Sequence, residues 1–324
     1  MGIAASSRRW PRPAGLLHAV PPPVLLLTGA VSVQFGAGLA GRLFGHVPPA
    51  AVTGLRLWSS AILMAAVSGR GTGRTVRGVI RDRAWRDGAV VVAFGVILGL
   101  MNFSIYQSFA RIPLGIAVTI EFLGPLALAV ASSRRAIDLV WVALAGAGVL
   151  LLASGGTTTA SGSAEASGGS ATVALGVVFA LIAAASWAAY ILLSRATGRR
   201  FAGSSGLTIA MIVAAVAVTP AAVATGSGEA LRLPVLGTGI LIGLLSSVIP
   251  YGFELEVLRR VPARVFGIWM SLEPAVAALI GLLLLSESLA AREWAAVGCV
   301  MAACAGSALG RAADAPAGPP PPPG

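Results

Sequence analysis

The sequence predicts an all-α membrane protein with ten transmembrane helices, built as two five-helix halves that enter the membrane in opposite directions. Three observations carry this. The chain has 324 residues, of which 56% are hydrophobic and 11% charged. A soluble domain is about 25% charged, so this chain has too little polar surface to face water. Ten apolar runs approach or reach the ~20 residues needed to cross hydrocarbon: 22–41, 49–68, 88–108, 113–132, 137–154, 172–193, 205–225, 234–254, 264–285 and 293–310. The arginines then sort to one side of those runs.

All 23 basic residues are Arg. With the N-terminus in the cytoplasm, 18 fall on the cytoplasmic side. Arg42, Arg111, Arg232 and Arg292 fall outside, and Arg56 lies within a span. Such a bias sets both termini inside. A net charge of +11 can signal nucleic acid, but arginines confined to short loops between apolar runs signal topology, so the expected surroundings are lipid and no nucleic acid. Cys299 and Cys304, five apart on one helix, do not face each other, and His18 and His46 flank the first span. No disulfide, metal or cofactor is expected. With no Lys and both His outside the spans, no catalytic constellation is visible either, which argues against an enzyme.

Residues 1–21, including "SSRRWPRPAGLLHAVPPP", read as a cytoplasmic segment rather than a cleaved signal, because no apolar core directly follows the Arg pair. The first span carries Gln34, which sits mid-membrane and must face protein. The second carries Arg56 in "TGLRLWSS". Near the outer end, it can pair a substrate carboxylate or a Glu, and equally can snorkel or hold a structural ion pair. The third carries the small-residue face "GVILG" (Gly95–Gly99), which reads as packing, and then Asn102 and Tyr106, which share a face. The fourth carries Glu121 and Pro125, and the fifth ends at residue 154. Residues 155–171 form a Gly/Ser-rich linker that divides the chain into halves 22–154 and 172–310.

The sixth span carries Trp187 and Tyr190, which suit either a cavity wall or an interfacial belt. The eighth carries Ser246, Ser247, Pro250 and Tyr251. Glu254 and Glu256 near its inner end read as an ion-pair cluster with Arg259 and Arg260. The ninth carries Glu273 and Pro274. Residues 311–324 end in "PAGPPPPPG", an extended, disordered tail.

The two halves repeat. "RIPLGIAVTIEFLGPLA" (Arg111–Ala127) aligns without gaps on "RVPARVFGIWMSLEPAV" (Arg260–Val276), at an offset of 149. Pro125 meets Pro274, and Glu273 falls three residues, about one turn, from the partner of Glu121. Each proline lacks an N–H, so the carbonyls of Glu121 and Met270 lose their helical partners. A freed carbonyl beside a carboxylate needs water, a cation or a donor, and ionisable groups inside a membrane mark function by default. Antiparallel repeats with midplane sites are a transporter architecture. Glu121 is the first candidate for substrate or proton binding, then Glu273. Asn102, Tyr106, Gln34, Tyr251, Trp187 and Ser247 are supporting candidates. Pro125 and Pro274 break the helices.

"PLGIAVTIEFLGPLALAVASSRRAIDLVWV" and "SSVIPYGFELEVLRRVPARVFGIWMSLEPAVAALIGLLLLSESL" resemble the threonine/homoserine exporter branch of the bacterial drug/metabolite transporter superfamily, built from two EamA-type repeats. The resemblance covers roughly residues 22–310. It implies proton-coupled export of small amino acids across the inner membrane, with an exporter of another small metabolite or drug as the alternative. It also implies that the second helix is peripheral, which favours a structural Arg56. A homodimer is left open. The chain departs from the branch in its Gly/Ser-rich linker and in "SES" (Ser286–Ser288), which stands where a Gly-Glu-Thr/Arg element is usual.

Overall fold

The computed structural model describes residues 20–68, 72–73, 75, 77, 85–132, 137–154, 169–201, 204–225 and 228–313. The N-terminal segment, most of the Gly/Ser linker, most of the arginine-rich loop after the second run, and the proline-rich tail lie outside them.

Every apolar run is helical, and no strand occurs among the described residues. The helices are α1 (Pro22–Leu43), α2 (Pro49–Ser68), α3 (Trp85–Phe109), α4 (Leu114–Glu121), α5 (Leu123–Ala131), α6 (Ile137–Ser154) and α7 (Gly169–Arg200). They continue as α8 (Ser205–Ala224), α9 (Leu233–Gly243), α10 (Ile249–Arg260), α11 (Ala263–Met270), α12 (Glu273–Leu285) and α13 (Ala291–Ala313). Pro22, Pro49, Pro234 and Pro274 all stand at first or second helical positions, where the missing N–H costs little or nothing in ladder bonds. Eight helical stretches are long and apolar enough to cross a membrane; Ile137–Leu152 is apolar but shorter. Large apolar side chains such as Ile62, Leu139, Leu150 and Leu283 are exposed, as an apolar solvent around the bundle permits.

Specific contacts define two ends. At one, Asp87 pairs with Arg200 at 3.0 Å, Ser68 meets Ser204 at 2.9 Å, and Arg260 donates to the carbonyl of Val20 at 3.0 Å. This is the arginine-rich end. At the other, Arg42 Nε donates to the carbonyl of Leu284 at 2.9 Å, and the N–H of Leu114 donates to Glu287 Oε2 at 2.8 Å. The second bond links the start of α4 in the first half to the turn after α12 in the second.

Packing relies on small residues. A Cβ on Gly95 would meet Val213 at 2.5 Å, one on Gly99 would meet Ala214, and one on Gly115 would meet Ala278 Cα at 2.7 Å. The "GVILG" face is thus a packing face against α8. Contacts between the halves come in matched sets: α3 packs on α7 as α10 packs on α1, α8 packs on α3 as α9 packs on α2, and α2 meets α8 while α6 meets α13.

Burial of Glu287 at the second end raises its carboxyl from 4.5 to about 7, with the Leu114 N–H opposing the shift. A folded value above the unfolded one means that the native chain keeps the proton to higher pH. The contribution of Glu287 is therefore fully present below about pH 4.5 and is lost as pH rises through about 7. The thermal midpoint of purified protein should fall over this window, and fall less in Glu287→Gln. Parallel profiles for the two proteins would contradict this assignment.

Candidate substrate site

Both proline-marked helices are broken at their carboxylates. Glu121 is the last residue of α4, and α5 begins after Phe122. Glu273 is the first residue of α12, after a tight turn at Ser271 and Leu272. The three-residue offset seen in the sequence thus has a structural meaning. One carboxylate ends a half-helix and the other begins one. At a helix N-terminus the dipole favours negative charge, while at a C-terminus it favours a cation nearby.

A third break lies in the helical stretch before Pro250. Residues Leu244–Val248 form a π-turn, in which Ile249 N–H donates to the carbonyl of Leu244. The sequence suggests that Pro250 orphans the carbonyl of Ser246. In this i→i+5 register the carbonyl facing the proline belongs to Leu245, and the hydroxyl of Ser32 donates to it at 2.7 Å. Such turns often mark functional positions.

The breaks surround a cavity of about 420 Å³, lined by Gln34, Arg56, Asn102, Tyr106, Glu121, Phe122, Pro125, Trp187, Tyr190, Ser246, Tyr251, Glu254, Met270 and Glu273 among others. That volume suits a small metabolite, since ligand sites run about 300–1,000 Å³. Gln34 Nε2 donates to Glu273 Oε1 at 3.5 Å, and Gln34 Oε1 has no partner. Asn102 Nδ2 donates back to the carbonyl of Leu98 at 2.8 Å. Trp187 stands edge-on to Phe122, with ring centroids 4.8 Å apart. Glu273 is near enough to Glu121 and Glu254 to feel both charges. Further lining residues, Ala129, Phe266 and Ala308, extend toward the arginine-rich end. Toward the other end, Tyr106 is 1% exposed. It packs against Phe44 at 6.1 Å and Phe109 at 5.7 Å.

Most sequence candidates meet in this one cavity; three placements differ from the sequence reading. Ser247 is not in the wall. It bonds Ser60 at 2.8 Å, while its neighbour Ser246 lines the cavity. Arg56 also lines the wall, contrary to a peripheral second helix. Its Nε donates to Ser246 Oγ at 2.9 Å, and its Cζ sits 5.2 Å from the centre of the Tyr106 ring. Glu254 parts from Glu256. Glu256 pairs with Arg260 at 2.6 Å and Arg259 at 3.5 Å, whereas Glu254 faces the cavity. Pro274 is buried behind the wall. Among the described residues no His, Cys, Asp and Glu cluster could hold a metal.

A cavity inside a helical bundle, framed by broken helices and carboxylates, can bind a small cationic or zwitterionic molecule. Residues 174–309 match the model of the EamA-like transporter family. The whole chain has relatives as well. It is 36% identical over 305 residues to the threonine/homoserine exporter RhtA of Escherichia coli (strain K12), spanning 91% of this chain and 95% of that protein. The chain belongs to the EamA-like transporter family. The Salmonella typhimurium (strain SL1344) threonine/homoserine exporter RhtA is 35% identical over 295 residues, spanning 89% and 91%. A crystal structure with 17% identity shares the fold, with a TM-score of 0.57 over 90% of this chain and 99% of the other. As an EamA-like transporter, the protein is a multi-pass membrane protein that moves a small molecule, and it is not an enzyme.

Proposed function

We propose that the protein exports small amino acids, with threonine and homoserine as lead substrates, by proton antiport with alternating access. The observation that carries this is the meeting of Glu121 and Glu273, from the two halves, in one cavity at paired helix breaks. A carboxylate in such a place can hold an ammonium group or a proton, and switching between them couples the two fluxes. The names of the relatives above supply the substrate class. Asn102, Tyr251, Gln34 and Trp187 complete the wall.

The matched helix contacts support two inverted five-helix repeats, since exchanging the halves maps each pair onto its counterpart. The Arg bias supports termini in the cytoplasm. The cavity then extends toward the cytoplasm, with Tyr106, Phe44 and Phe109 closing the outer side. Rocking of one half against the other would open it outward and break the Glu287 bond to Leu114. The aromatic wall of Phe122, Trp187 and Tyr190 favours one second reading, an exporter of another small, more apolar metabolite or drug.

Efflux of labelled threonine and homoserine from expressing cells tests the choice. Export above the vector control, abolished by a protonophore, is the expected outcome. Export of neither amino acid would favour the second reading.

A further inference from the structure

Among the described residues, Arg56 is the only arginine that lines the cavity. A guanidinium inside a membrane protein is costly unless something partners it. Its Nε is bonded to Ser246 Oγ at 2.9 Å, and Ser246 Oγ donates in turn to the carbonyl of Ile242. The Tyr106 ring supports its face at 5.2 Å. Among the described residues no carboxylate comes within 4.0 Å of it. Glu121, in the same wall, is near enough to feel its charge without pairing with it. The hydroxyl and the ring hold the guanidinium in place; among the described residues no carboxylate or backbone carbonyl accepts from its two terminal nitrogens, which leaves most of their four N–H donors, beside the Tyr106 hydroxyl, for a ligand. A planar pair of donors of this kind matches a carboxylate in bidentate geometry.

We propose that Arg56 binds the α-carboxylate of the transported amino acid, while Glu121 receives its ammonium. This inference rests on the reading of the protein as an amino-acid exporter. It makes the cavity selective for zwitterions. An amine of the same size without a carboxylate leaves the guanidinium unpaired. Ser246 is a positioning residue, because it acts on the substrate through Arg56.

Ligand-induced thermal stabilisation of the purified protein gives the test, with threonine, homoserine, threoninol and homoserine lactone as probes. The wild type should be stabilised by the two amino acids and little by threoninol or the lactone. Arg56→Gln should weaken amino-acid binding at least 30-fold and leave threoninol binding within about threefold. Arg56→Lys should recover part of the loss, since it restores charge but not the fork. Wild-type protein that binds threoninol as well as threonine would overturn the proposal, and that comparison needs no folded variant. So would an Arg56→Gln protein that keeps wild-type affinity for threonine, or that loses both ligands equally. Failure of the wild type to bind any amino acid would overturn the exporter reading itself, together with the inference built on it. The two failures are therefore distinct.

Discussion

Glu121→Gln is expected to abolish proton-driven export while leaving the protein folded and in the membrane. The substitution keeps the size and one acceptor oxygen but removes the charge and the exchangeable proton. Loss of one partner from a buried charge pair costs about 2–5 kcal/mol, so substrate affinity should fall by roughly 30-fold or more. The rate should also cease to respond to the proton gradient. Efflux of labelled threonine, measured with and without a protonophore, reads both effects. Export by Glu121→Gln at the wild-type rate, still sensitive to the gradient, would remove Glu121 from the mechanism. Glu273→Gln provides the contrast. Its carboxylate is held by Gln34 at 3.5 Å and begins α12, so the loss there should fall more on stability.

Gly124→Val is expected to prevent assembly of the bundle. Gly124, at the start of α5, lies backbone-to-backbone against α7. A Cβ there would fall inside the radius of the Ala184 carbonyl oxygen, 2.8 Å from its carbon and 3.1 Å from its Cα. No flexible side chain can move aside, so α5 must shift as a body. Overpacking costs about 1–3 kcal/mol when side chains give way, and more when they cannot. Gly124→Ala should lower the melting temperature and the yield, and Gly124→Val should leave little monodisperse protein. Gly298 has open space around its Cβ position, and Gly298→Ala serves as the tolerated control. Equal yields and melting temperatures for all of these proteins would contradict the close approach.

The helices and their breaks were legible because hydrocarbon imposes a coarse rule. Long apolar runs must be helical, and a proline within one frees a carbonyl, although Pro220 does so without breaking its helix. Glu121, Glu273, Gln34 and Asn102 were legible for the same reason, since polar groups in such runs must face protein. The faces of helices near the membrane ends were less legible. Glu254 and Glu256 look like one charge cluster beside Arg259 and Arg260, but residues two apart on a helix point in opposite directions. One therefore reaches the arginines and the other the cavity. Arg56 was obscured by its position, because an arginine near a membrane end can always be supposed to snorkel. Its place in the wall depends on Ser246, which is 190 residues away. The exchange of roles between Ser246 and Ser247 follows from the π-turn, whose extra residue rotates the helix face. No local pattern announces such a turn.

The bond between Leu114 and Glu287 has a consequence for how this chain can vary. The donor is a main-chain amide, so every residue but proline at position 114 supplies it unchanged. Position 287 and the loop that carries it therefore supply the side-chain half of that contact. Changes in that short loop should alter how firmly α4 is tied to the turn after α12, with no change to the residues that line the cavity.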